Sequence, residues 1–271
     1  MRFKDRVRLV LGYLERHGSA SYNDLAELLN VSTMTVRRDC DELASTGKII
    51  KTVGGVQQAH APLYLYENGI WERMSANRAE KRAIAQQALE LLGNNQAIFV
   101  DGGTTCLELA KLIAEECSGL TIVTNSAMAC LEMGNDRNTV IGIGGEYDPA
   151  TLSFVGPQAE AFARTVFVDL AFFSTKGFLP LDGTYESAVA TFRIKQILAD
   201  QAVCTALLVD HTKFGRRALS KVLDISQIQY VVTDDQAPAV DTSYLGNANI
   251  QVIRASTGKT EGRPHATKAD S

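Results

Sequence analysis

The chain has 271 residues, 45% hydrophobic and 21% charged, with a formal net charge of −4; that length suits one large domain or two ordinary ones, and the apolar content is ample for packed cores. Its five cysteines (Cys40, Cys106, Cys117, Cys130, Cys204) are scattered, with no C-x-x-C pair and no neighbouring histidine cluster, so neither a disulfide framework nor a zinc site is expected, and reduced cytosol is the expected compartment. No apolar run approaches the roughly 18 to 20 residues of a membrane span, and Gly12, Tyr13, Glu15 and Arg16 interrupt the basic start, so neither an anchor nor a leader peptide is expected.

Residues 1–58 hold nine Lys/Arg against seven Asp/Glu, whereas the remainder holds 18 against 24. Only the amino-terminal part is a candidate polyanion binder. There Val7, Val10, Leu11 and Leu14 follow helical spacing, and "RHG" closes the stripe with cations and a glycine. Ser21 can cap a second, short helix with Leu25, Ala26, Leu28 and Leu29 inward, which Asn30 breaks. Ser32 caps a third helix, with Val36, Cys40, Leu43 and Gly47 on one face and Met34, Arg37, Arg38 and Asp41 on the other. "KIIKTVGGVQQ" then reads as a small β-hairpin, the wing of a winged helix.

The third helix offers free backbone N–H groups and a positive dipole end to a phosphate, followed by two guanidiniums able to meet a guanine edge. The expected DNA contacts are Ser32, Thr33, Thr35, Arg37 and Arg38, with Lys48 and Lys51 of the wing on the backbone. Asp39 is expected to be a structural partner rather than a base reader.

Residues 59–76, containing Pro62 and Gly69, read as a linker, and a helix is expected from about Asn77 with Ile84, Ala88, Leu91 and Leu92 inward. Apolar runs then recur at 97–101, 120–124, 139–144, 168–175, 204–210 and 229–234, several with helix-like segments between them. This alternation predicts an α/β domain over 77–254 with a mainly parallel sheet. The tail, 255–271, has no apolar periodicity and is expected to be disordered.

A ligand should lie beyond the carboxyl ends of such strands. Asp101 precedes Gly102-Gly103-Thr104-Thr105, Asn125-Ser126 follow one strand, Gly144-Gly145-Glu146 another, and Asp210 to Lys213 a fourth. Glycines let backbone approach an anion, and a helix after Thr104 would aim its N–H groups there. No Gly-Lys-Ser/Thr follows, so this is not a nucleoside triphosphate loop, and "GIGGEYD" fails as a dinucleotide fingerprint.

The "VSTMTVRRDCDEL" helix, the "TVGG" wing, "DGGTT", "TNS", "GG", "VG" and "DHTKFG" occur in the order and spacing of the DeoR family of bacterial transcriptional regulators, which the chain resembles from about residue 4 to 254. The resemblance implies a winged helix that binds operator DNA, usually as a repressor, and a sensor domain similar to ribose-5-phosphate isomerase. It also implies a phosphorylated sugar as effector and assembly as a homodimer or homotetramer. Cys40 stands where the family usually has Leu, and Val53 where its wing often has His.

The rival expectation is an active sugar-phosphate isomerase carrying a DNA-binding appendage. That isomerase family supplies two carboxylates from D-G-A-D-E, and the matching stretch is "DLAFF", which keeps Asp169 but has Phe172 for the second acid; Glu186 could replace a later base. Loss of one acid removes proton-transfer capacity and leaves the phosphate cradle. The expected effector residues are Asp101, Gly102, Gly103, Thr104, Thr105, Thr124, Asn125, Gly145, Asp169 and Lys213, with no catalytic residue, no metal and no cofactor.

Overall fold

A computed structural model describes residues 2–17, 19–45, 48–52, 54–58, 70–94, 96–187, 189–239, 245 and 250–257. Contacts divide the chain into two compact units, Met1–Tyr66 and Glu67–Ser271.

The first unit contains α1 (Phe3–His17), β1 (Ser19–Ser21), α2 (Tyr22–Leu29), α3 (Thr33–Ser45), β2 (Ile49–Thr52) and β3 (Gly55–Gln58). Helical spacing delivers Val10 and Leu14 of α1, Leu25 and Leu29 of α2, and Val36, Cys40 and Leu43 of α3 to one core. A reciprocal cap starts α2: the Ser21 hydroxyl accepts the Asp24 N–H at 3.1 Å while the Asp24 carboxylate accepts the Ser21 N–H at 3.2 Å. Asn30, left-handed at φ 50°, ends it. Leu28, expected inward, is 43% exposed, because the stripe set by Tyr22, Leu25 and Leu29 leaves it on the flank. The wing is an antiparallel pair of β2 and β3, to which β1 adds a third strand in the order β1-β3-β2. Gly47 lies outside the described residues.

The second unit begins with α4 (Ile70–Ser75) and α5 (Arg78–Leu89), then runs through β4 (Ala97–Val100), α6 (Thr104–Glu116), β5 (Thr121–Thr124), α7 (Ala127–Met133) and β6 (Thr139–Gly142). After the hairpin of β7 (Glu146–Asp148) and β8 (Ser153–Val155) come α8 (Pro157–Ala163), β9 (Val168–Ser174), β10 (Gly177–Leu179), β11 (Gly183–Glu186), α9 (Val189–Asp200), β12 (Ala202–Leu208), β13 (Ser220–Asp224), β14 (Tyr230–Asp234) and β15 (Gln251–Ala255). Among the described residues the main sheet is wholly parallel, in the order β15-β14-β12-β9-β4-β5-β6. Strand alternation sends Phe99 and Phe173 into one packed layer and Ile98, Val100 and Phe172 into the other. The chain builds outward from β4 to β6, then returns to lay β9 on the other side of β4. The order therefore reverses between β4 and β9, which opens a crevice at their carboxyl ends.

Helix α4 falls inside the stretch expected to be linker. It has one buried side chain, Ile70, and so no periodic stripe to announce it; residues 59–69 lie outside the described residues. At the other end Ala255, expected in the tail, is buried and pairs with Asp234 as the last residue of β15. Residues 258–271 are not described. Among the described residues no helix is long and apolar enough to cross a membrane.

Candidate functional site

Each unit presents a distinct surface. In the first, the Ser32 hydroxyl accepts the Thr35 N–H at 3.2 Å and shares a hydrogen bond with the Thr35 hydroxyl at 3.0 Å, which fixes the start of α3. Thr33, Met34, Arg37 and Arg38 are exposed on its outer side. The Arg37 guanidinium lies 4.9 Å from the Tyr22 ring centroid, so a buried aromatic of α2 braces it while it stays open to solvent. Asp39 faces the other way: its carboxylate accepts from Arg6 of α1 at 2.6 and 3.0 Å, the structural role expected of it. Lys51 of the wing pairs with Asp41 of α3 at 2.5 Å, both about half exposed. Lys48 is half-buried beside Leu43 and Glu42.

In the second unit a pocket occupies the crevice between β4 and β9, lined among others by Asp101, Gly102, Gly103, Thr104, Thr105, Asn125 and Lys213. The sequence builds its floor from glycine of necessity. A Cβ on Gly103 would lie 1.7 Å from the Ser174 hydroxyl, and one on Gly102 would lie 2.4 Å from the Ser153 hydroxyl. No side chain caps α6 at Gly103, and its first helical bond runs from the Leu107 N–H to the Gly103 carbonyl at 2.9 Å. The amides of the Thr104 turn and the positive end of α6 therefore face the pocket.

The wall opposite is ionic. Lys195 of α9 donates to Glu186 at 2.5 Å and to the Ser174 carbonyl at 2.8 Å, and its ammonium lies 3.1 Å from Asp101. Burial lowers this lysine's pKa, but Asp101 and Glu186 outweigh it and hold the value above that of an ordinary lysine. The same Asp101 oxygen accepts from the Ser174 amide at 3.1 Å and hydroxyl at 2.8 Å. Lys81 of α5 donates to the carbonyls of Arg73 and Ala76, and burial brings its pKa down to about 8. Burial likewise brings Lys176 down to about 8. Asp210 caps the turn His211–Lys213 through the Thr212 amide at 3.0 Å and takes the Asn77 amide at 3.3 Å. Among the described residues its other oxygen, the Asn125 Oδ1 and the Arg73 Nε are buried without a hydrogen-bond partner. Among the described lining residues the cations Arg73, Lys81, Lys176, Lys195 and Lys213 outnumber the carboxylates Asp101, Glu186 and Asp210. The excess favours an anion with hydroxyls to satisfy the unpaired oxygens.

Three expected pocket residues lie elsewhere. Asp169 stands at the amino end of β9, where it accepts the Ala97 N–H at 2.8 Å; five steps of about 3.3 Å along the strand separate it from Ser174, about 17 Å in all. Thr124 is buried, its hydroxyl donating to the Val100 carbonyl at 2.6 Å and accepting the Ser126 N–H at 3.1 Å, so it braces β5. Gly145 serves the β7 and β8 hairpin, where φ is +150° and a Cβ would meet the Val155 carbonyl at 2.6 Å. Phe172 is core, as an aromatic on a buried strand should be. The expected loss of the second acid nevertheless fails for the pocket as a whole, since Glu186 faces it from β11. Lys195 escaped the sequence reading altogether. Its signal was present: between Ile194 and Leu198 it falls on the apolar stripe of α9, a position a lysine occupies only when paired.

Comparison with known proteins bears on both units. Residues 6–61 match a model described as the DeoR-like helix-turn-helix domain, and residues 76–235 one described as the DeoR C terminal sensor domain. The chain is 27% identical over 259 residues to an uncharacterized HTH-type transcriptional regulator of Bacillus subtilis, covering 94% of this chain and 98% of the relative. It is 26% identical over 235 residues to the L-fucose operon activator of Escherichia coli K12, covering 86% and 96%. Among solved structures it is similar to a D-ribose-5-phosphate isomerase in complex with phospho-erythronic acid, at 19% identity and a TM-score of 0.38 over 55% of each chain. With the reading helix matched in one unit and the greater part of the other matched to the sensor, the chain belongs to the DeoR family of DNA-binding transcriptional regulators.

Proposed function

We propose that the protein represses a sugar-catabolism operon in the cytoplasm and that a phosphorylated sugar bound in the β4/β9 pocket modulates its grip on operator DNA. The observation that carries this is the pocket itself, where a glycine floor, the uncapped start of α6 and an excess of cations meet unpaired polar oxygens. The phosphate rests on the amides of residues 102–105 with Lys213 close by. Asn125 and Asp210 take hydroxyls, and Asp101 braces the loop through Ser174 and Lys195.

On the DNA side, Thr33, Arg37 and Arg38 supply contacts from the open face of α3, while Ser32 and Thr35 order its amino end toward a phosphate. Lys48 and Lys51 reach the backbone from the wing. The Lys51 pair with Asp41 is exposed and costs little to exchange for a phosphate. Two half-sites about 34 Å apart require two such helices, which a homodimer or homotetramer provides. Repression is the direction that the family resemblance favours; one relative's name is activator, and a reporter fusion to the neighbouring operon distinguishes the two.

The isomerase alternative needs a free acid/base beside the substrate carbons. Asp101 and Glu186 both face the pocket, but Lys195 engages both, and one Asp101 oxygen meets three donors. This favours a holding site over a proton-transferring one. A thermal-shift screen against pentose and hexose phosphates, followed by operator gel shifts, tests the proposal. At least one compound should raise the melting temperature and change operator binding without being consumed, and Lys213→Ala should abolish the response with operator affinity near normal. Steady turnover of any of them would overturn it.

A further inference from the structure

The outward face of α3 is mixed in chemistry. Met34 is 75% exposed, the one apolar side chain among the exposed described residues of that helix. It joins none of the apolar clusters of the described residues, although Val36, Cys40 and Leu43 of the same helix are buried in one. A methionine so placed gains nothing from the core and keeps its apolar surface in water. A lone exposed apolar residue is ordinary on a protein surface; the surroundings of this one are not.

Met34 lies in the first turn of α3, three and four residues before Arg37 and Arg38, and so on their face of the helix. The acids nearest to them are turned aside: Asp39 is buried against Arg6, and Asp41 pairs with Lys51 of the wing. Residues 33–38 carry no carboxylate and two exposed guanidiniums, the charge pattern of a surface that meets a polyanion. The neighbouring polar groups are already placed. The Ser32 and Thr35 hydroxyls bond each other in the cap, and the Arg37 guanidinium is held 4.9 Å from the Tyr22 ring centroid on α2. Side chains of a helix tilt toward its amino end, so Met34 overhangs the end by which a recognition helix contacts base edges.

We infer that Met34 reads a thymine in each operator half-site by packing its thioether on the 5-methyl group of the base. This rests on the proposal that the outward face of α3 contacts operator DNA. A methionine side chain has no donor and only a weak acceptor. It cannot match the hydrogen-bonding edges of guanine, cytosine or adenine, and laid against them it strips water from groups it leaves unsatisfied. The methyl of thymine is the apolar feature that a base pair shows in the major groove. An unbranched, polarizable thioether adapts to such a group, and it leaves guanine edges and phosphates to Arg37 and Arg38. Met34 thus sets which sequence is bound more than how tightly duplex is held.

The test uses the full chain and the duplexes it selects from a randomised pool. Each thymine of the best duplex is replaced in turn by deoxyuridine, which lacks the methyl and keeps the hydrogen-bonding edge. For the parent protein one replacement per half-site should weaken binding about fourfold, the effect of exposing one buried methyl group. Met34→Ala should bind the thymine and deoxyuridine duplexes alike, with melting temperature and salt slope near the parent's, since the residue touches neither core nor phosphate. Met34→Gln is the second variant, and selection repeated with it should lose the thymine preference at that position alone. Equal binding of the thymine and deoxyuridine duplexes by the parent, or a thymine effect that survives unchanged in both variants, overturns the inference. Arg37→Ala and Arg38→Ala separate that failure from a wider one. If they weaken binding of the selected duplex, the inference about Met34 falls alone and the α3 proposal stands; if they leave it unchanged, the outward face of α3 does not meet DNA and the inference falls with that proposal.

Discussion

Arg6 and Asp39 meet through two hydrogen bonds, at 2.6 and 3.0 Å, and so lock the first helix of the DNA-binding unit to its third. The arginine pair next in sequence, Arg37 and Arg38, is left facing outward. The two kinds of arginine should separate in experiment. Asp39→Ala removes the lock, so the melting temperature of the amino-terminal unit should fall by several degrees, about 4 to 8 °C per kcal/mol for a unit of this size, and operator affinity should fall with it.

Arg38→Ala, by contrast, should leave melting unchanged. Operator affinity should drop by about 1 to 3 kcal/mol if the side chain meets a base edge, or the salt slope should shrink by about one if it meets a phosphate. Binding measured at several salt concentrations distinguishes the two roles.

Lys195 stands between two carboxylates. Lys195→Met should leave Asp101 and Glu186 buried without their cation and cost about 3 to 5 kcal/mol of stability in urea unfolding. Adding Glu186→Gln removes one of the two like charges and should recover part of the loss. Equal stability of parent and single variant would refute the ionic wall.

The glycine floor predicts a steric effect with a rescue. Gly103→Ala should cost about 1 to 3 kcal/mol through overpacking against Ser174 and impair sugar-phosphate binding. Ser174→Gly, which removes the atoms met, should restore part of the stability in the double variant.

The pH dependence follows from Lys81 and Lys176, both brought down to about 8 by burial. Below that pH both are charged, and a sugar phosphate, with its second pKa near 6, is already a dianion at neutrality. Raising the pH through 8 strips positive charge from the pocket, so effector affinity should fall between about pH 7.5 and 9, and calorimetry at pH 8 should register proton uptake on binding. Unliganded stability should move the other way. Between about 8 and the ordinary lysine value of about 10.4 the unfolded chain holds more protons than the folded one, so stability rises with pH, on the order of 1 kcal/mol per lysine after screening.

Much of this was legible in the order of residues. The three helices, the wing and the strands from β4 to β14 that form the parallel sheet follow from apolar period and caps, and Asp101 to Thr105, Asn125 and Lys213 follow from their place at strand ends. What escaped lacked a local period. Strand β1 has three residues, α4 has one buried side chain, and β10, β11 and β13 pair antiparallel beside the main sheet. Asp169 misled because a motif match assigns a residue type without saying which end of the strand it occupies. Lys195 was hidden because its partners Asp101 and Ser174 lie far along the chain.

The reversal of strand order between β4 and β9 bears on how long the molecule lasts. An occupant of that crevice would touch strand ends that lead into opposite halves of the sheet, a juxtaposition that exists only in the folded chain. Proteolysis that requires unfolding must wait for the occupant to leave, so saturation at a hundredfold above its dissociation constant adds about 2.7 kcal/mol of protection. A cell supplied with the effector would accordingly keep this regulator longer than a starved one, and the metabolite would set the protein's abundance as well as its activity.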